Sequence, residues 1–115
     1  WLHVHHKYSS MDIHTHGYGS QLSGFYFLDC PENSSVFNIH DPRPAKSQIE
    51  LESNQESKIN VSNRSVWFEP KPGVMYIFNS WLPHSFSRNP SDEPLKFIHF
   101  NVYVSPVMSD TPIVV

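Results

Sequence analysis

Along this chain the apolar positions come in short runs, alternating or clustered, and each run ends at Gly, Pro, Asn, Asp or Ser. That is the pattern of strands joined by turns, because a strand sends successive side chains to opposite faces and a turn needs residues that tolerate its backbone angles. At least six runs are present. Residues 22–28 are dense in aromatics, residues 36–39 are short, and Ile49 and Leu51 alternate with Glu50 and Glu52. Residues 65–68 lead to a Pro-Lys-Pro-Gly turn at 70–73, residues 74–78 read as a buried strand, and 97–104 is the longest alternating segment. Segments 41–44, 90–94 and 105–112 carry two prolines or more each and read as loops, while the polar stretch 53–65 fits a loop or an edge strand. No helix of three turns fits without crossing a proline or a β-branched run, and no repeat of fixed period appears. Short strands without βαβ alternation predict an all-β sandwich, jelly roll or barrel.

Composition sharpens this picture. A chain of 115 residues allows one domain, spanning 1–115. It starts at Trp1 without Met and stops in an apolar run, which suggests a domain cut or processed from a longer chain. Charged residues make up only 17% and Pro and Gly number 10 and 4, so long amphipathic helices have little room. Eight Lys and Arg against eleven Asp and Glu, with no basic run, give no electrostatic footprint for a phosphate backbone. A dedicated nucleic-acid-binding surface is therefore not expected, although a nucleobase remains an open substrate. The apolar runs fall far short of the roughly 20 residues of a bilayer helix, so no membrane association is expected. One cysteine, Cys30, cannot form an internal disulfide, and no signal-peptide pattern opens the chain. A reducing, cytoplasmic setting fits these features.

Candidate chemistry lies in the histidines. There are eight, at His3, His5, His6, His14, His16, His40, His84 and His99. On a strand, residues two apart share a face, so His14 and His16 can aim two imidazoles at one point while Thr15 faces away. A single strand cannot wrap a metal, and a third ligand must come from elsewhere. His84 is the best candidate, since it follows the 74–78 strand and the Trp81-Leu82-Pro83 turn, at a barrel mouth. Two ligands from an early strand and one from a late strand, with the opposite side open, is a facial arrangement that suits iron oxygenases. Asp12, two before His14, is an alternative oxygen ligand if the register shifts. His3, His5 and His6 read as a solvated tail, and His40 and His99 as structural residues. Phe25, Phe27, Trp67, Phe78 and Trp81 are candidates for the core or for lining a pocket.

Six pieces in order carry a family resemblance: His14-Thr15-His16, Leu22-Ser23-Gly24-Phe25-Tyr26-Phe27-Leu28, Asp41-Pro42-Arg43, Pro72-Gly73-Val74-Met75-Tyr76-Ile77-Phe78, Ser80-Trp81-Leu82-Pro83-His84 and Phe100-Asn101. Together they resemble the 2-oxoglutarate and Fe(II)-dependent oxygenases related to prolyl hydroxylases, a family with many phage and marine bacterial members. The resemblance implies a double-stranded β-helix, the jelly roll also called cupin-like, with His14, His16 and His84 as the iron ligands. It implies Fe(II), 2-oxoglutarate as cosubstrate, O2, and hydroxylation of a substrate that is a peptide, a nucleobase or a metabolite. For a phage-encoded member the compartment is the host cytoplasm.

Two features depart from better known relatives. His16 stands where they carry an Asp, and imidazole there still suits iron. They also place an Arg or Lys about ten residues after the last ligand to pair with the distal carboxylate of 2-oxoglutarate. Lys96 lies twelve residues on, and an alignment on Phe100-Asn101 puts Leu95 at the expected place. A one-residue slip turns Lys96 outward unless a bulge corrects it. Lys96 is the first expectation for this role and Arg88 the reserve, with Tyr26, Ser23 and Asn101 as neutral hydrogen-bonding partners. Two other function classes compete: a cupin-like metal protein independent of 2-oxoglutarate, such as a three-histidine dioxygenase or isomerase, and an inactive structural or binding jelly roll such as a virion component. Nothing in the sequence decides between a monomer and a homo-oligomer.

Overall fold

The computed structural model describes residues 1–17, 19–44 and 63–105. Eight strands and no α-helix occur among them: β1 (Leu2–His5), β2 (Met11–His14), β3 (Leu22–Asp29), β4 (Phe37–His40), β5 (Ser65–Phe68), β6 (Met75–Asn79), β7 (His84–Phe86) and β8 (Leu95–Val102). Five of the predicted runs become β3, β4, β5, β6 and β8, the last beginning two residues early. The Ile49 and Leu51 run, most of the 53–65 stretch and most of the 105–112 segment lie outside the described residues. Segments 41–44 and 90–94 connect strands, as their prolines require.

The strands form two antiparallel four-stranded sheets, ordered β1-β8-β3-β6 and β2-β7-β4-β5. This is an all-β jelly-roll, cupin-like architecture. Its core is almost wholly aromatic: Phe25, Phe27, Phe37, Phe78, Phe86 and Phe97, with Leu95. The alternation of β3 and β8 explains why. Phe25 and Phe27 on β3, and Leu95 and Phe97 on β8, point into the space between the sheets, while Tyr26, Leu28 and Ile98 point out. Phe25 meets Phe37, Phe86 and Phe97 edge to face at 5.1–5.3 Å, the arrangement that ring quadrupoles favour. Each buried Phe contributes about 1.5–3 kcal/mol. Trp67 and Trp81, expected as core or pocket lining, are instead 62% and 57% exposed.

Two glycines have a steric reason. Gly73 closes the 70–73 turn at φ 81°, a conformation that costs a side chain dearly. Gly24, in the middle of β3, lies under the Phe100 ring, and a Cβ there would stand 2.7 Å from the Tyr76 carbonyl oxygen and inside the Phe100 side chain. The obstacle at Tyr76 is backbone and cannot swing away. Gly24→Ala is therefore expected to lower stability by about 1–3 kcal/mol in urea unfolding, and an unchanged midpoint would show that β3 and β6 separate freely.

The N-terminal segment is a correction. Rather than a solvated tail, residues 2–5 form β1 and pair with β8, Leu2 opposite Ile98 and His5 opposite Leu95. His3 stacks on Phe97 with ring centroids 5.0 Å apart, and His5 is 6% exposed. Only His6 of the three stands in solvent. Polar residues on the inner face hide this strand from a hydrophobicity pattern.

Candidate metal centre

β2 and β7 are neighbours in the second sheet, and their register sets His14 directly across from His84. His16 lies two residues beyond the end of β2, off the strand. Its backbone N–H donates to the Ser80 carbonyl at 2.8 Å, which ties the chain after β2 to the turn after β6. His16 therefore reaches the same point by a bend between the sheets and not by strand alternation. The three side chains come together all the same: one ring nitrogen of each of His14, His16 and His84 falls within 4.8 Å of the others, and Thr15 is exposed. Among the described residues no other group of three or more metal-ligating side chains converges in this way.

Backbone carbonyls orient two of the rings. The Nδ1–H of His14 donates to the Asp12 carbonyl at 2.7 Å, and that of His84 to the Leu82 carbonyl at 2.8 Å. Each Nε2 is then left with a lone pair, the tautomer that a metal needs. The Nε2 atoms of His16 and His84 face each other at 3.2 Å. Because the His84 Nδ1–H is committed to Leu82, a hydrogen bond between these two nitrogens has the His16 Nε2–H donating to His84 Nε2. A divalent ion displacing that proton would take both nitrogens, so the donor set fits a first-row metal.

Burial favours the neutral, ligating form. It lowers the His84 pKa from 6.5 to about 4, a shift to which the charges of His14, His16 and His40 add and which the Leu82 hydrogen bond resists. Burial, followed by the charge of His14, also lowers His16. Asp12 does not join the group. A bulge between Met11 and His14 breaks the alternation of β2, Asp12 is exposed, and its contribution is the carbonyl that holds His14.

The residues expected to bind the cosubstrate divide. Lys96 and Tyr26 sit at outward positions of β8 and β3, and the Lys96 ammonium pairs with Asp29 at 3.1 Å on the outer face. Arg88 is exposed beyond the far end of β7 from His84, with its guanidinium 4.5 Å over the Tyr8 ring. None of the three lies beside the triad, a correction to the expectation. Strand parity accounts for both: Tyr26 lies between the inward Phe25 and Phe27, and β8 keeps its alternation against β1, while the register shift beside Lys96, between Phe27 and Asp29, puts its extra residue on β3 and leaves Lys96 facing out. Ser23 and Asn101 do face the interior, directly opposite each other on β3 and β8 and 2.9 Å apart. His40, expected to be structural, meets the Ser85 hydroxyl at 2.9 Å.

His99, expected to be structural, also lies beside the triad. It is 3% exposed, its ring centroid is 4.7 Å from that of His16, and its Nε2 is 3.0 Å from the Ser23 hydroxyl. The parity of β8, which places 95, 97 and 99 on one face, was the available signal.

The profile of one protein family, described as "Putative 2OG-Fe(II) oxygenase", matches residues 1–101. No curated protein matches the chain.

Proposed function

Because the chain belongs to this family of 2-oxoglutarate and Fe(II) oxygenases, we propose that it is a metal-dependent oxygenase in which His14, His16 and His84 hold Fe(II) and a 2-oxo acid completes the site. The observation that carries this reading is the convergence of the three imidazoles, with two Nδ1–H groups already committed to backbone carbonyls. An Fe(II) ion bound there supplies activation of O2 coupled to decarboxylation of the 2-oxo acid. The protein's own part is positional. Leu82 and Asp12 fix two ligand rings through their carbonyls, the 15–17 bend delivers the third, and the rings of Phe25, Phe37 and Phe78 against His84 keep water from its inner side. Asn101 is the proposed polar contact for the cosubstrate, and the buried Ser23 hydroxyl supports it from behind at 2.9 Å.

The outward Lys96 and the distant Arg88 favour a second reading, a three-histidine metalloenzyme of cupin type that uses no 2-oxoglutarate. Anaerobic Fe(II) titration separates the two. Adding 2-oxoglutarate to the Fe(II) protein is expected to raise the visible charge-transfer band of a chelated 2-oxo acid. Metal binding without that band at any 2-oxoglutarate concentration would give the second reading the site.

A further inference from the structure

The inward residues of β8 are Leu95, Phe97, His99 and Asn101, of which His99 touches the triad, and the two cations expected from the sequence turn away. Polar groups nevertheless line this wall. The ring of His99 leans on that of His16, and its Nε2 meets the Ser23 hydroxyl, which in turn meets Asn101 Oδ1. Ser23 is wholly buried, while Asn101 is half-buried.

This chain of three can run in two directions, both uncharged. In one, His99 Nε2–H donates to Ser23, the Ser23 O–H donates to Asn101 Oδ1, and His99 Nδ1 is an acceptor. If the Asn101 amide turns over, its NH2 donates to Ser23, the Ser23 O–H donates to His99 Nε2, and Nδ1 carries the proton as a donor. A hydroxyl between an imidazole and an amide allows this reversal while both of its side-chain hydrogen bonds are kept.

We infer that His99, in the donor form that a turn of the Asn101 amide allows through Ser23, receives the second carboxylate of a keto-diacid cosubstrate in place of a lysine or arginine. The inference rests on the 2-oxoglutarate reading of the metal site. Two methylene groups separate that carboxylate from the metal-chelating end, and a carboxylate carried into a partly dry pocket needs donors waiting for it. His99 lies next to a metal ligand on the inner face, where such an acid arrives. Ser23, fully covered, touches no ligand and acts as a positioning residue. A neutral seat also predicts a weak preference: 2-oxoglutarate should bind only about tenfold more tightly than 2-oxopentanoate, which has the same carbon chain and no second carboxylate.

The test is anaerobic titration of the Fe(II)-loaded protein with each of these two acids, followed by the charge-transfer band, with metal affinity measured separately by calorimetry. His99→Phe keeps an aromatic ring and is expected to erase the tenfold preference while leaving Fe(II) affinity and 2-oxopentanoate binding within about twofold of wild type. Ser23→Ala should reduce the preference partway, a change that general loosening of the fold would not confine to one acid. Lys96→Met should leave it intact. A preference that survives both His99→Phe and Ser23→Ala, or that disappears with Lys96→Met, overturns the inference while the 2-oxoglutarate reading stands. Failure of the wild-type protein to bind either acid, with Fe(II) in place, overturns both.

Discussion

Alanine at position 84 is expected to remove metal binding and at the same time to cost the fold about 2–5 kcal/mol, the range for emptying a well-packed aromatic or aliphatic site. His84 is completely buried, its ring 4.7 Å from Phe78, 5.8 Å from Phe25 and 6.1 Å from Phe37. It also opens β7, a strand of three residues that joins β2 to β4 in the middle of its sheet. Two roles meet in one side chain, and a single substitution confounds them. His84→Phe separates them, since a phenyl ring fills nearly the same volume and has no nitrogen. That variant should melt close to wild type in urea yet bind Co(II) at least about 100-fold more weakly, because losing a ligand exceeds the 10- to 100-fold typical for losing a ligand's orienting partner. Co(II) titration calorimetry reads the second effect. Wild-type affinity in His84→Phe would remove His84 from the metal centre and leave it a core residue.

This double role was only half legible in the sequence. The spacing of His14 and His16 and the turn before His84 pointed to the three residues that converge, but a barrel mouth implies an exposed ligand, and His84 is sealed by phenylalanines. The reason is that His-Ser-Phe is too short to show alternation, so β7 left no periodic signal and its neighbours on the first sheet could not be guessed. The long strands fared better. β3 and β8 alternate cleanly enough for parity to place Phe25, Phe27, Phe97 and His99 inside and Ile98 outside, and the same parity turns away Tyr26 and Lys96, both of which were expected at the cosubstrate. Parity also shows why Leu95 occupies the inward position nearest the one at which a cation was sought, fully buried against the core. β1 failed for the opposite reason. Its inner positions are His3 and His5, and polar residues on a buried face mimic a solvated tail until a partner strand is known. The bend that delivers His16 depends on a backbone bond to Ser80, 64 residues away, which no local pattern encodes.

So many covered imidazoles should make the metal-free protein acid-sensitive. Burial lowers the pKa of His84 and of His99 to about 4, with His16 and His3 adding to the effect on His99, and burial likewise lowers His3, His5, His16 and His40. A histidine whose pKa is lower in the folded chain than the ordinary 6.5 binds its proton more readily when unfolded. Its neutral burial therefore leaves stability untouched above that value, and the loss grows as pH falls from 6.5 toward 4, where it is complete. Partial hydration at the open end weakens the effect, and a combined loss of about 2 kcal/mol is a cautious sum that lowers Tm by about 10 °C in a domain of this size. Thermal melts without metal are thus expected to be flat above about pH 7 and to drop steeply between about pH 6 and 4.5. His99→Phe removes one of the groups and should make the drop shallower. Added Co(II) should raise Tm at neutral pH by mass action and lose that power in acid, because protons and metal compete for the same ring nitrogens. A Tm that does not change across this range would mean that these imidazoles take up protons as easily in the folded chain as in the unfolded one, and the dry, neutral ligand set on which the metal assignment depends would be gone with it.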